Sequence, residues 1–250
     1  MKLVSYLTED FWPGLRVLAH SLKFKGGITG LDWIIMTESG VVPDEWYEWF
    51  ARCGFSLISK AFSDVGKGAW PKKLPDTLER LAGNWNKLRI LLLPEDAYIW
   101  LDTDMVCVNP ATDLLYTTSV SAVREQPHQD KHYGYNLGLI RIDPDAELFE
   151  TCVKLMKLPG VWALAEQDLL NAAMRERETY VTELDYRFNM PNYLIMRRPE
   201  MWKPDQAIFV HFMGDIKPWQ PCAAYDEPID GTTFTRILRK LWRDYAKEVS

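Results

Sequence analysis

Short apolar runs alternate with amphipathic stretches along most of this sequence, and that alternation restricts the chain to α/β layering around a mostly parallel sheet. Lys2–Leu7, Asp32–Thr37, Phe55–Ser59 and Ala97–Leu101 are expected strands, as are Val120–Arg124, Leu137–Ile142 and Ile208–Phe212. Trp12–Lys23 carries Leu15, Leu18 and Leu22 on one helical face, and a second helix runs through Glu45–Phe50 and stops near Gly54. Thr77–Leu93 repeats the helical pattern with Leu78, Leu81, Trp85, Leu88 and Leu92, and Thr233–Val249 closes the chain as an amphipathic helix. The irregular stretch 60–75 predicts a loop beside a site. At 250 residues, without internal repeat or low-complexity linker, a single domain over 1–250 is expected.

Composition removes several function classes. With 47% hydrophobic and 26% charged residues the chain builds a substantial core rather than staying disordered. A net charge of -6 lacks the basic footprint of a sequence-independent nucleic-acid binder, and Lys23, Lys25 and Lys72–Lys73 fit solvated faces. The four cysteines are far apart and form no CxxC pair, which fits neither a zinc site nor a dense disulfide framework. No stretch approaches the roughly 20 apolar residues of a membrane span. The first ten residues carry no apolar signal core, so a soluble, cytoplasmic protein is expected.

Chemistry concentrates after the strand Ala97–Leu101, which runs directly into Asp102-Thr103-Asp104. In extended geometry the two carboxylates point to one side, at the strand end where open α/β sheets place ligands. Two hard oxygens there suit Mg²⁺ or Mn²⁺ and leave positions open for a diphosphate. The second block is His211-Phe212-Met213-Gly214-Asp215-Ile216-Lys217-Pro218-Trp219. Alone, His211 fits a hydrogen-bonded core histidine. Combined with the aspartates, its imidazole completes a transition-metal site, Gly214 lets backbone approach phosphate, and Lys217 offers a mobile ammonium.

These blocks resemble the glycogenin-like retaining glycosyltransferases, glycosyltransferase family 8. The matches run in order from Thr8 and Ser21-Leu22 through Asn86-Lys87-Leu88, Asp102-Thr103-Asp104, Asn109-Pro110 and Asp113-Leu114-Leu115. They continue with Asn136-Leu137-Gly138 and Gln167-Asp168-Leu169-Leu170-Asn171, and end at the His211–Trp219 block, the most diagnostic of them. The resemblance covers about residues 2–219 and implies a GT-A fold, a nucleotide-sugar donor (usually a UDP-sugar), Mn²⁺ and retention of anomeric configuration.

Carried over, it implies Asp102, Asp104 and His211 as metal ligands, with Thr103 beside the donor. Lys217 and Gly214 would contact the diphosphate and Lys87 the donor. Asn136, Gly138 and Gln167 would surround the sugar, with Asn136, Gln167, Glu166 and Lys217 as the catalytic candidates. Thr8 would lie near the base or ribose, with Phe11 or Trp12 either stacking there or capping the first helix. Two departures stand out. Glu166 replaces the family's aspartate and serves either as a sugar ligand or as a helix cap. Phe188-Asn189-Met190-Pro191-Asn192-Tyr193 offers no acceptor tyrosine for self-glucosylation.

The expectation is transfer to an external hydroxyl on a glycan, lipid, protein or small molecule, with acceptor contacts in 60–75, 125–135 and 220–230. Two alternatives are a nucleotide-sugar-binding module without turnover and a metal-dependent phosphoester hydrolase. The latter needs more clustered ligands than this chain offers.

Overall fold

A computed structural model describes residues 1–65, 84–94, 97–125, 134–158, 166–194, 198–203, 205–214, 217–220 and 234–249, with side chains in the last segment from residue 240. The expected loop beyond residue 65, the helix start at 77–83, Lys72–Lys73, Cys222, Asp215 and the stretches 126–133 and 221–230 lie outside these residues.

Four strands run parallel: β1 (Lys2–Tyr6), β2 (Asp32–Thr37), β3 (Ser56–Ala61) and β4 (Tyr98–Leu101). Then β6 (Ser121–Arg124) and β7 (Tyr135–Ile142) pair antiparallel, β7 also lies antiparallel to β4, and β8 (Thr182–Leu184) lies parallel to β6. The sheet order is β3-β2-β1-β4-β7-β6-β8. Helix α1 (Trp12–Phe24) connects β1 to β2, and α2 (Asp44–Arg52) connects β2 to β3.

Both faces of this sheet are covered, which is why its central strands are continuous apolar runs. Neighbouring residues on one strand enter opposite cores, because side chains alternate across a strand. Leu3, Trp33, Ile35, Ile99 and Leu101 pack with Leu15, Leu18 and Leu22 of α1. Val4, Ile34, Met36, Tyr98 and Trp100 pack on the other face, against Leu148 and Phe149 of α3 (Ala146–Met156) and Leu169 and Leu170 of α4 (Glu166–Glu176). Asp145 caps α3, its side chain accepting from the Leu148 amide at 2.8 Å.

Two features differ from expectation. The described part of the helix expected over Thr77–Leu93 is a 3₁₀ helix, Asn84–Leu92. Its three-residue turn aligns buried Trp85, Leu88 and Leu91 on one edge. The strand expected over Ile208–Phe212 belongs to a second, small sheet. There β10 (Phe209–His211) lies between β5 (Met105–Cys107) and β9 (Met190–Pro191). The closing helix α5 spans Phe234–Glu248 and sets Trp242 and Tyr245 against Val17 and Val106. Among the described residues, no helix is long and apolar enough to cross a membrane. Cys53, Cys107 and Cys152 are buried free thiols.

Candidate active site

The order of the main sheet reverses at β1, which lies between β2 and β4. The crevice at the carboxyl ends of β1 and β4 is therefore the switch point where open α/β sheets bind ligands. Lys2 pairs with Tyr98 and Val4 with Trp100, so the residues after β1 lie beside those after β4. A cavity of about 390 Å³ opens here, lined by Tyr6, Thr8, Phe11, Asn84, Lys87, Trp100, Asp102, Thr103, Asp104, Glu166 and Lys217.

The two aspartates reach it through a turn. Asp102 and Thr103 leave the main sheet after Leu101, and Asp104 precedes β5 of the small one, so alternation along a single strand is not what aligns them. The antiparallel ladder of β5 and β10 then delivers the histidine. Met105 faces His211, and the Phe212 amide donates to the Asp104 carbonyl at 2.9 Å. His211 Nε2 lies 3.2 Å from Asp104 Oδ1 and 3.9 Å from Asp102 Oδ2. One ligand atom from each of Asp102, Asp104 and His211 falls within 4.8 Å of the others. Among the described residues this is the one such His, Cys, Asp and Glu group.

The donor set fits a divalent cation. Two carboxylates supply hard oxygens, and His211 already spends Nδ1 on Asn189 Oδ1 at 2.9 Å, leaving Nε2 toward the aspartates. Each carboxylate is also held from behind. Asp102 Oδ1 accepts from Trp100 Nε1 at 2.6 Å and faces Lys87 Nζ at 2.9 Å. Asp104 Oδ2 accepts from Lys217 Nζ at 2.5 Å. Burial alone would push the Asp104 carboxyl up, but His211 and Lys217 hold it well below the usual carboxylate range.

Lys87 is buried and shared. Besides Asp102, its ammonium reaches Glu166 Oε1 at 3.3 Å and donates to the Leu137 carbonyl at 3.2 Å. Burial would push Lys87 down, yet its two carboxylate neighbours raise it. One cation serving two carboxylates leaves Glu166 with the weaker share. Burial, with Asp102 adding its charge, pushes Glu166 up to about 7 against the pull of Lys87. Glu166 opens α4 and lines the cavity, and its Oε2 is buried without a hydrogen-bond partner.

The remaining expected residues divide. Phe11 lines the cavity beside Lys217, whose Nζ lies 5.7 Å from the ring centre. Trp12 stacks on Trp46, ring centres 4.1 Å apart, and lines an adjoining cavity of about 790 Å³ that shares Tyr6 and Thr8 with the first. Gly214 adopts φ 109°, a conformation that favours glycine, with open space where a Cβ would point. Trp219 folds over the first turn, its Nε1 donating to the Asp10 carbonyl at 2.9 Å and its ring edge-on to Phe11.

Asn136, Gly138 and Gln167, expected around the sugar, are not among the residues that line this cavity. Gly138 is glycine because of His211: a Cβ there would lie 2.3 Å from His211 Cε1. Gln167 Nε2 donates to Glu125 Oε2 at 3.1 Å, and its Oε1 accepts from the Leu137 amide at 3.0 Å. Glu125, Asn189 and Trp100 belong to none of the sequence blocks expected to bind the donor; of the three, Glu125 alone has a sequence signal, its position directly after β6 at a strand end.

The sequence profile of "Glycosyl transferase family 8" matches residues 87–223, more than half of the chain. The chain belongs to this family. Two curated relatives are similar over part of their length. Galactinol synthase 5 of Arabidopsis thaliana is 25% identical over 112 residues, covering 44% of this chain and 32% of the synthase. Lipopolysaccharide 1,2-glucosyltransferase of Escherichia coli K12 is 24% identical over 162 residues, covering 55% of this chain and 48% of that enzyme. The chain thus matches a third to a half of each relative. Among solved structures, the glycosyltransferase GlyE of Streptococcus pneumoniae TIGR4 superposes with TM-score 0.69 at 15% identity, over 98% of this chain and 60% of GlyE. Galactosyltransferase LgtC, solved with donor and acceptor sugar analogues, superposes with TM-score 0.65 at 16% identity, over 99% and 96% of the two chains. The family-8 chain shares their GT-A fold.

Proposed function

We propose that this family-8 chain transfers a hexose from a nucleotide-sugar, a UDP-sugar in the first instance, to an external hydroxyl, with Mn²⁺ and with retention of configuration. The observation that carries this reading is the meeting of Asp102, Asp104 and Lys217, which line the switch-point cavity, with the buried His211 beside the two aspartates. Asp102, Asp104 and His211 would hold the cation, which when bound supplies positive charge to a departing nucleoside diphosphate.

The chain's own residues supply the rest. Lys217 sits beside the ligands, where its ammonium adds charge at the diphosphate. Thr8 and Phe11 border the donor's nucleoside end, and the adjoining Trp12-lined cavity extends it. Glu166 and Lys87 face the sugar, and the unpartnered Glu166 Oε2 is a ready acceptor for a sugar hydroxyl. Leaving-group departure and acceptor attack on the same face account for retention without a covalent intermediate. Hexose transfer accords with the names of the glucosyltransferase and galactosyltransferase similar to this chain.

A panel of nucleotide-sugars with Mn²⁺, scored for donor hydrolysis without acceptor, tests the proposal. Metal-dependent turnover of at least one UDP-hexose is expected. Absence of turnover across the panel, with no metal-dependent affinity for UDP, would overturn it.

A further inference from the structure

The turn at the nucleoside end of the donor cavity is weakly held by its own residues. Glu9–Phe11 forms a short 3₁₀ helix in which no residue is buried, and Thr8 makes no side-chain cap. The Phe11 amide donates to the Thr8 carbonyl at 2.9 Å, and the Trp12 amide to the Glu9 carbonyl. A helix of three residues gains too little from such bonds to stay fixed without tertiary contacts. Thr8 and Phe11 nevertheless line the cavity, so donor affinity depends on where this turn lies.

Support comes from 209 positions further along the chain. Trp219 Nε1 donates to the Asp10 carbonyl at 2.9 Å, and its ring meets Phe11 edge-on, centres 5.5 Å apart. The same indole lies against the first turn of α1. A Cβ at Gly14 would come within 2.6 Å of its Cη2 and 2.8 Å of its Cζ3. Trp219 in turn packs on Trp242 of the closing helix α5, ring centres 5.7 Å apart and planes at 45°. Aromatic neighbours attract beyond the area they bury. Trp242 is buried in the core of Val17, Val106 and Phe212. Helix α5 is itself tied to α1, where Arg16 Nη2 donates to the Val249 carbonyl at 2.6 Å. Trp242 also lies beyond residues 87–223, so this support comes from outside the segment that matches the family profile.

We propose that Trp242 is a positioning residue for the donor: it holds Trp219 against Asp10 and Phe11 and thereby fixes the turn at the nucleoside end. This rests on the donor placement proposed above. Trp242 is not among the residues lining the cavity and acts through Trp219. Trp219 follows Lys217 by two residues, so the competing reading is that Trp242 steadies the lysine at the diphosphate end. The two readings differ in which part of the donor loses affinity.

Calorimetry with UDP and with inorganic pyrophosphate, each in the presence of Mn²⁺, separates the two ends. Trp242→Leu is expected to weaken UDP binding about 10-fold, the scale of one aromatic contact, and to leave pyrophosphate binding unchanged. Trp242→Phe, which keeps a ring, is expected to stay near wild type on both probes. Trp219→Phe keeps a ring but loses the donor to Asp10, and is expected to weaken UDP selectively as well; should Trp242→Leu not fold, this variant decides alone. In metal-free protein, the Trp219 indole N–H, identified as the ¹H–¹⁵N signal absent from Trp219→Phe, reads the bond to Asp10. Its exchange with solvent is expected to be faster in Trp242→Leu than in wild type and in Trp242→Phe. Unchanged UDP affinity in folded Trp242→Leu or Trp219→Phe overturns the inference, because a packing role alone lowers stability without touching the donor. Equal losses on UDP and pyrophosphate overturn it too, since they place the effect at Lys217. If wild type binds neither probe, the donor placement fails, while the indole exchange still decides whether Trp242 holds Trp219.

Discussion

Lys217 Nζ lies 2.5 Å from Asp104 Oδ2, although the two are 113 positions apart in the chain, and both side chains are almost wholly enclosed. Each is the other's counter-charge. The aspartate holds the ammonium in the cavity wall, and the ammonium helps keep the carboxylate charged where burial alone would neutralise it. Asp104 is therefore part of the fold as well as of the proposed cation site.

That double role sets the expected behaviour of Asp104→Asn. Metal-dependent UDP affinity should be lost, as calorimetry would record. The metal-free protein should also lose about 3 kcal/mol of unfolding free energy, because an enclosed ammonium is left without its partner. The Asp104 carboxyl is held low in the native state, so its contribution is present above the unfolded value near 4 and is lost as pH falls toward the native one. Urea titrations should show the gap between wild type and variant at neutral pH and a shrinking gap in acid. An equal gap at every pH would contradict the charge argument.

Lys217→Ala should lower turnover by about 10²-fold, on the scale of one oriented electrostatic stabiliser. Donor affinity should fall less if the ammonium acts mainly on charge that develops during departure. Steady-state kinetics separate the two effects. Near-normal turnover would reduce Lys217 to a structural partner of Asp104.

At Gly138 the added methyl group of alanine would lie 2.3 Å from His211 Cε1 and 2.7 Å from Nδ1. Gly138→Ala should displace the imidazole, reduce Mn²⁺ affinity by at least about 10-fold and cost about 1–3 kcal/mol in overpacking. Manganese titration followed by electron paramagnetic resonance reads the first effect, and thermal melts read the second. Unaltered manganese binding would show that the ring has room to move.

Glu166 should give the protein a pH-dependent stability opposite in sign to that of Asp104. Its carboxyl is pushed up to about 7 in the native state, chiefly by burial. Between about pH 4.3 and 7 the folded chain holds a proton that the unfolded chain has released. The stabilisation is present below that window and is lost as pH rises through 7. Glu166→Gln should flatten the profile of metal-free melts between pH 5 and 8; an unchanged slope would contradict the assignment. In the donor panel, Glu166→Asp should reorder preference among UDP-sugars more than it lowers total activity, since withdrawing Oε2 moves an unpaired acceptor. A helix cap alone would leave the ranking untouched.

Much of this molecule was legible from pattern. The strands around Val4, Ile34 and Trp100 announced themselves as apolar runs because both faces of the sheet are covered. The Asp102-Thr103-Asp104 and His211–Trp219 blocks were visible because their residue types and spacing are dictated by chemistry. The 3₁₀ turn at Asn84–Leu92 was not visible, since Trp85, Leu88 and Leu92 satisfy an α-helical period equally well. The split of the sheet after Leu101 was also hidden, because a turn followed by a new strand has the same apolar signature as one strand continuing.

The sequence alone determined the layered α/β architecture, the carboxylate pair at a strand end, and the histidine and lysine offered to it, because apolar periodicity and ligand chemistry are local properties. Only the tertiary structure decided which side chains meet. It put Lys217 on Asp104, divided Lys87 between Asp102 and Glu166, and placed Asn136 and Gln167 on Glu125 outside the cavity lining. Those partnerships depend on the β5–β10 register and on the packing of α4 against the sheet. Contacts between residues far apart in the chain are fixed by burial and hydrogen-bond satisfaction in three dimensions, which no local pattern encodes.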